Sequence, residues 1–458
     1  MLSAVELLVR LRRTPLRAWP TLNLSVAEAT ALYIISFLAS ALLGMVRQIL
    51  LNARFGLEPE IAAYYAAARL PETLTVLIAG GTLTNALVPV LLRVTDRDGE
   101  AAAHRLLNGV VTLLLVVVGP CCLLLAMGAP LFVRTLLVPG FDGALQALTA
   151  QLARIMLIEL LLLVVEAGVI ALLISRNQVL LPAVAIALRN VTVIGGIGVA
   201  YLVPSIGIYG PTIGSTLDVI IQLAILAPGL RRRGFVPRPV WNPADRDLRA
   251  VGRLLVPNGV SGVANYSAAI VDTAYLSLTG MTAAIGALAN AMLLTGLPTR
   301  LLGSAVGQAM LPHLAELSNR GEWQPLRRRI GILLLVAGGV ALLVALLIAA
   351  LSRPLISLLF ERGAFDTTAV AVTTQFLVIY ALGLPIYVLT DLATRALVAC
   401  YDTLSAMLTN IGQLLLRILL LSFTIGPYGP VAVPMVHVLS SAVETLILLL
   451  VLRMRTRP

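Results

Sequence analysis

The chain has 458 residues, of which 59% are hydrophobic and 12% are charged, and its mean hydropathy is +0.97. About a quarter of the residues in soluble proteins are charged, so this composition excludes an ordinary soluble fold. The net charge of +11 comes from arginine alone. Because most of these arginines lie in short loops between apolar segments, they indicate membrane orientation and not a nucleic-acid partner.

The first 25 residues contain four arginines around short apolar pieces. A signal peptide needs a continuous apolar core and a cleavage site, and this segment has neither. We interpret residues 1–25 as a basic leader that lies at the cytoplasmic face of the membrane.

Apolar segments of membrane-spanning length recur along the rest of the chain, which predicts an all-α, polytopic membrane protein. We predict twelve spans, near 27–50, 61–91, 106–128, 146–173, 180–203, 209–230, 250–277, 282–314, 328–351, 368–394, 404–424 and 429–452.

The arginines support an even number of spans. With the N-terminus inside, 23 of the 33 arginines fall in cytoplasmic segments and four fall outside. Positive residues favour the cytoplasmic side, so both termini are predicted to be cytoplasmic.

The second half of the chain resembles the first. Three motif pairs recur at nearly the same spacing: 130–142 with 354–366, 86–91 with 309–314, and 209–211 with 428–430. The spacing covers six spans, so both halves have the same orientation and form a parallel repeat. The predicted organisation is a lobe at 26–230, an Arg- and Pro-rich cytoplasmic linker at 231–249, a lobe at 250–453 and a tail at 454–458.

The first motif pair consists of short amphipathic segments that each follow a long apolar run. We predict that residues 130–141 and 353–365 each lie along the outer membrane interface, apart from the spans before and after them.

Arg47 and Arg69 lie inside two consecutive apolar segments. A charge at membrane depth is costly, so such residues usually face a bundle interior or a water-filled cavity. Guanidinium groups match phosphate oxygens, which predicts an anion site. The alternative is that each arginine pairs with an acidic residue elsewhere in the bundle.

No arrangement of residues typical of catalysis or metal binding is visible. The chain has three histidines and three cysteines without ligand spacing, no Ser/His/Asp pattern and no phosphate-binding loop. The sequence therefore predicts neither an enzyme nor an ATP-driven pump.

Several motifs resemble the MurJ/MviN family of lipid II flippases, within the multidrug/oligosaccharidyl-lipid/polysaccharide exporter superfamily. They are LLGMVRQILLNARFG at 42–56, ARLP at 68–71, ALVPVL at 86–91, PLFVRTLLVPGF at 130–141, LPTRLLGSAVGQAMLP at 297–312, RPLISLLFERGAFD at 353–366 and TRALVACYDT at 394–403.

The resemblance implies two lobes around a central cavity that opens alternately to each side of the bacterial cytoplasmic membrane. It implies that the cargo is lipid II, an undecaprenyl-pyrophosphate-linked peptidoglycan precursor, with membrane lipids and cell-envelope synthesis proteins as further partners. It implies no bound cofactor, and a membrane potential or a Na⁺ or H⁺ gradient as the coupling source.

The residues themselves and the resemblance together suggest a site, with Asp272 at a family position tied to cation binding. Arg47, Arg69 and Arg300 would bind substrate, and Asp272 with Asn410 would couple an ion. Pro71 and Pro298 each remove a helical hydrogen bond and would act as hinges. For Asp272, protonation or pairing with an arginine is the alternative.

Some family positions differ in this chain. The family has an arginine where this chain has Ala41 and another near Leu293, an acidic residue at Gln48, and fourteen spans against the twelve predicted here. These differences leave alternatives open: another polyprenyl-pyrophosphate-linked polysaccharide unit as cargo, drug/cation antiport, a non-transporting scaffold in a cell-envelope assembly, or a membrane-embedded glycosyltransferase.

Overall fold

A computed structural model describes residue 19 and residues 24–78, 82–242 and 244–456. All long elements in these ranges are helices. In chain order they are α1 (Val26–Phe55), α2 (Pro59–Ile78), α3 (Thr82–Asp98), α4 (Glu100–Met127), α5 (Gly143–Ser175), α6 (Leu180–Leu188), α7 (Val191–Leu202), α8 (Tyr209–Arg232), α9 (Arg246–Leu278), α10 (Ala283–Thr299), α11 (Val306–Asn319), α12 (Trp323–Phe360), α13 (Thr367–Ala399), α14 (Thr403–Tyr428) and α15 (Ala432–Arg455).

The predicted all-α membrane fold is confirmed. Nine segments of the described ranges are long and apolar enough to cross a membrane, and the last of them, Thr403–Arg455, contains two helices. The count of twelve spans stays a prediction. Most of the predicted leader, residues 1–18 and 20–23, lies outside the described residues.

Large apolar side chains cover much of the outer surface of the helices. On α12, Leu335 is 77% exposed and Leu343 is 69% exposed, and on α14 Phe423 is 72% exposed. Exposure of such a surface to water is energetically unfavourable, whereas lipid tails solvate it. The exposed faces therefore fit contact with lipid.

Aspartates fix the start of three helices. Asp366 accepts a hydrogen bond from the Ala369 amide (2.8 Å), and Asp402 accepts one from the Ser405 amide (3.0 Å). Asp245 accepts from the Leu248 amide (3.2 Å) at the start of α9. Each carboxylate satisfies an amide that has no partner within the helix.

The helices group into two compact units. Among the described residues, the first unit lies within 1–54, 67–133 and 144–266, and the second within 55–66, 134–143 and 267–458. Neither unit is continuous in sequence, whereas the two predicted lobes are. The lobe boundaries at 230 and 250 remain predictions.

The core of the first unit includes the linker. Leu87 of α3, Leu107 of α4 and Leu172 of α5 are fully buried, and Phe235 packs into the same cluster. Asn108 on α4 donates to the Val236 carbonyl (3.1 Å) and accepts from the Arg238 amide (3.2 Å). The predicted linker is thus held along α4.

Helices α7 and α8 of the first unit approach through glycines. A side chain at Gly196 would clash with the backbone of Gly210, and one at Gly214 would clash with the backbone of Thr192. Only residues without a Cβ allow such close backbone contact.

In the second unit α13 is central. It packs against α10, α12 and α15, and α15 in turn packs against α14. Its face toward these neighbours is apolar: Phe376, Leu384 and Leu397 are fully buried.

The structure contradicts one prediction about the repeat. Residues 353–360 continue α12 as one helix of 38 residues, and no separate interfacial helix forms there. In the first half Gly128 ends α4 before a short segment, Ala129–Leu137. The corresponding position in the second half is Ser352, which does not interrupt the helix.

The predicted span 180–203 is two helices, with a break at Arg189 and Asn190. Likewise, the predicted span 282–314 consists of α10, a π-helical segment at Arg300–Ala305, and α11.

Candidate substrate and ion sites

Arg47 lies on α1 and bonds within the first unit. One of its Nη1 hydrogens is donated to Asn190 Oδ1 (2.8 Å). Nε is buried and has no hydrogen-bond partner among the described residues. No carboxylate of the described chain forms an ion pair with this guanidinium. Most guanidinium donors of Arg47 therefore make no hydrogen bond within the described chain.

Asn190 lies in the break between α6 and α7 and adopts a left-handed backbone conformation (φ 85°). Its amide N–H donates to Asp218 Oδ1 (3.2 Å), which also accepts from the Thr192 hydroxyl (2.9 Å). Gln222 Nε2 donates to the other carboxylate oxygen of Asp218 (2.7 Å). The break is thus stabilised by a buried carboxylate on α8.

Arg69 lies on α2 and forms an ion pair with Glu72 (2.9 Å). The Arg69 side chain is 13% exposed and that of Glu72 is 47% exposed. Pro71 is buried between them, inside a helix that continues through it. Unlike Arg47, Arg69 has a carboxylate partner.

Arg300 is exposed and begins the π-helical segment of the second unit. Pro298 precedes it and has no N–H to donate to the carbonyl four residues earlier, so the widened turn lies next to a missing bond. Ser304 in this segment donates to Asp391 Oδ2 (2.7 Å), and Asp391 pairs with Arg395 (3.1 Å).

Asp272 on α9 is paired with Arg417 on α14, and each side chain is only 1% exposed. This is the arginine pairing that the sequence left open as the alternative to a cation ligand. The buried pair is charge-balanced, because a carboxylate meets a guanidinium directly.

Asn410 is hydrogen-bonded to the carboxyl of Glu444 on α15. One turn further along α14, Gln413 Nε2 donates to Ser440 Oγ (2.9 Å). Asn410, Gln413 and Arg417 share one helix face, as their spacing of three and four requires. That spacing is the sequence signal that places Arg417 on the same helix face as Asn410, whereas no sequence pattern indicates Glu444 on α15.

The sequence-predicted residues thus fall in different places. Arg47 and Arg69 belong to the first unit and bond different partners, whereas Asp272, Asn410 and Arg300 belong to the second. Asn190 was not predicted from the sequence. An asparagine in a helix break has no periodic pattern that distinguishes it.

The described ranges contain no group of three or more His, Cys, Asp or Glu that could hold a metal ion.

The family model for the lipid II flippase MurJ matches residues 51–457 of the chain. The chain belongs to the MurJ family.

Relatives that match most of the chain agree with this assignment. A probable lipid II flippase MurJ from Synechocystis is 27% identical over 434 residues, which cover 90% of this chain and 79% of the relative. A lipid II flippase MurJ from Burkholderia cenocepacia is 27% identical over 397 residues, covering 82% and 74%.

Solved structures show the same fold. The lipid II flippase MurJ in an inward closed conformation has a TM-score of 0.77 at 22% identity, covering 92% of this chain and 87% of that one. An inward-facing multidrug resistance MATE family transporter also has a TM-score of 0.77 at 14% identity, covering 93% and 98%. This MurJ family member is therefore a multi-span protein of the bacterial cytoplasmic membrane with a transporter fold.

Proposed function

We propose that this MurJ family member moves lipid II from the inner to the outer leaflet of the bacterial cytoplasmic membrane. Its two lobes would open alternately to each side around a central cavity, and the protein would carry out no covalent chemistry. Family membership over most of the chain and the shared fold support the proposal. We also infer that both termini are cytoplasmic and that cell-envelope synthesis proteins are partners.

The bonding of Arg47 is the observation that carries this proposal. A pyrophosphate has several anionic oxygens, and a guanidinium can donate two parallel hydrogen bonds to such a group. Arg47 donates one bond to a neutral amide and meets no carboxylate in the described chain. A group with an uncompensated charge and unused donors is suited to bind an anionic headgroup.

Arg69 and Arg300 would contribute less directly. Arg69 would have to break its ion pair with Glu72 before it could bind the substrate. The Arg300 side chain is exposed and makes no hydrogen bond or ion pair within the described chain. It would supply a further positive charge next to the proposed hinge at Pro298. Pro71 would be the hinge of the first unit.

We propose that a Na⁺ or H⁺ gradient resets the transporter through Asp272 and Asn410. In the described arrangement Arg417 supplies the positive charge that faces Asp272. A further cation at Asp272 would be repelled while this pair holds. Ion binding would therefore require Arg417 to move away, which links coupling to the packing of α14 against α9.

Rescue of growth in cells depleted of their own lipid II flippase tests the function. Wild-type protein and Arg134→Ala, which alters an exposed arginine of the short segment after α4, are expected to rescue. Arg47→Ala, expressed and inserted at the same level, is expected to fail.

Each other outcome has a definite meaning. Failure of inserted wild-type protein would exclude lipid II as cargo. Binding of other polyprenyl-pyrophosphate-linked polysaccharide units would then be measured, because Arg47 would recognise the pyrophosphate and not the sugar. Rescue by Arg47→Ala would support the flippase function and contradict the proposed role of Arg47 in binding.

A further inference from the structure

We propose that Asn190 is a positioning residue that orients Arg47 toward the pyrophosphate of the substrate. The inference rests on the proposed function and adds a residue to its binding site. Asn190 lies 143 positions from Arg47 in the sequence, and its Oδ1 accepts the one protein hydrogen bond that the guanidinium makes within the described chain.

Asn190 is itself held from two sides. On the backbone side, its N–H donates to Asp218 Oδ1 (3.2 Å), which fixes the left-handed conformation at the helix break. The side-chain Nδ2 of Asn190 lies 3.5 Å from the carbonyl of Ser40, about two turns before Arg47 on α1. The backbone of Asn190 is therefore held by α8, and its side-chain amide is oriented by α1.

The side-chain amide of Asn190 is neutral, so it does not cancel the charge of Arg47. Asp218 is the carboxylate of this network, and its oxygens accept from Asn190, Thr192 and Gln222. It therefore stabilises the break without pairing directly with Arg47. A carboxylate at position 190 would instead neutralise the guanidinium and compete with an anionic ligand.

Substitutions at position 190 separate the side chain from the backbone. Asn190→Gly removes the acceptor but tolerates φ 85°, since glycine readily adopts the left-handed region. Asn190→Asp keeps the size of the side chain and introduces the competing charge. Arg47→Ala and the double variant Arg47→Ala/Asn190→Gly complete a cycle.

The measurement is binding of undecaprenyl pyrophosphate to the purified full chain in detergent, with the thermal midpoint of unfolding recorded for every variant. Asn190→Gly is expected to keep a midpoint near that of wild type and to bind about tenfold more weakly, the size expected for a charged hydrogen bond. Asn190→Asp is expected to bind more weakly still. In the Arg47→Ala background, Asn190→Gly is expected to cause no further loss.

Wild-type affinity in Asn190→Gly would overturn the inference and leave Asn190 a purely backbone role. A further loss in the double variant would also overturn it, because Asn190 would then act independently of Arg47. If wild-type protein binds no undecaprenyl pyrophosphate, the proposed function fails, and the inference that rests on it fails with it.

Discussion

At the scale of single residues, buried charges in this protein are compensated in two different ways. Asp272 and Arg417 neutralise each other directly at 1% exposure. Arg47 and Asp218 are instead separated by a neutral asparagine. The first arrangement favours stability of a closed packing, whereas the second leaves a cation that can still bind a ligand.

Removing one partner of the buried pair is expected to be strongly destabilising. Asp272→Asn leaves the Arg417 guanidinium buried without its counter-charge, so the free energy of unfolding should fall by about 3–5 kcal/mol. Thermal unfolding in detergent measures this. Asp391→Asn is the matched control, because the Asp391 and Arg395 side chains are 26% and 21% exposed and water compensates part of the loss.

The double variant Asp272→Asn/Arg417→Leu should recover most of the stability lost in Asp272→Asn, since no unpaired charge remains. Equal destabilisation by the Asp272 and Asp391 substitutions would show that burial of the first pair has no energetic consequence.

The loop before α14 predicts a pH dependence. Burial raises the pKa of Asp402, but hydrogen bonds from Ser405 and Arg455 outweigh it, so the pKa lies below its ordinary value of 3.8. A lowered pKa stabilises the folded protein above the unfolded pKa, and this contribution is lost as the pH falls through the folded value.

Asp402→Asn keeps the cap acceptor and removes the charge. The thermal midpoint of unfolding should be higher for wild type than for the variant at pH 6. This difference should shrink as the pH falls to about 3.5. The effect should stay small, because the Arg455 side chain is 61% exposed. A constant difference across this pH range would exclude a contribution of the Asp402 charge.

At the scale of elements, the close approach of α7 and α8 depends on residues without a Cβ. Gly196 meets the backbone of Gly210, whereas a Cβ at Gly198 on the same helix would meet nothing within 4 Å. The two glycines therefore differ in packing and share the same helix propensity.

Gly196→Ala is expected to lower the free energy of unfolding by about 1–3 kcal/mol, because the added methyl group forces two helices apart. Gly198→Ala should be neutral or stabilising by up to about 1 kcal/mol, since alanine favours a helix. The free energies of unfolding of the two variants are compared in the same detergent. Similar losses in the two would show that the backbone contact is not limiting.

At the scale of the whole molecule, the arginine distribution predicts orientation. Asp142 follows the short segment after α4 and is predicted to be outside, whereas Glu322 precedes α12 and is predicted to be inside. In a cysteine-free background, a membrane-impermeant maleimide should label Asp142→Cys in intact cells. It should label Glu322→Cys only after permeabilisation. The reverse pattern would invert the topology.

The sequence alone determined that the chain is an all-helical membrane protein of the MurJ family, because apolar runs, loop arginines and motifs are local in the chain. It also located most helices, since lipid forces backbone groups to bond within each segment. The same reasoning failed at the broken span near Asn190 and at the end of α12. Near Asn190, the carboxylate of Asp218 on α8 stabilises the break in the helix. At the end of α12, no glycine interrupts the helix, which therefore continues.

Only the tertiary structure decided the partners of the buried polar groups. Arg47 meets Asn190 and Asp272 meets Arg417 across about 145 residues of sequence. Such pairs depend on how distant helices pack, and the pattern of one helix carries no information about the side chain opposite it. Tertiary packing therefore gave one predicted site residue a neutral partner and neutralised another.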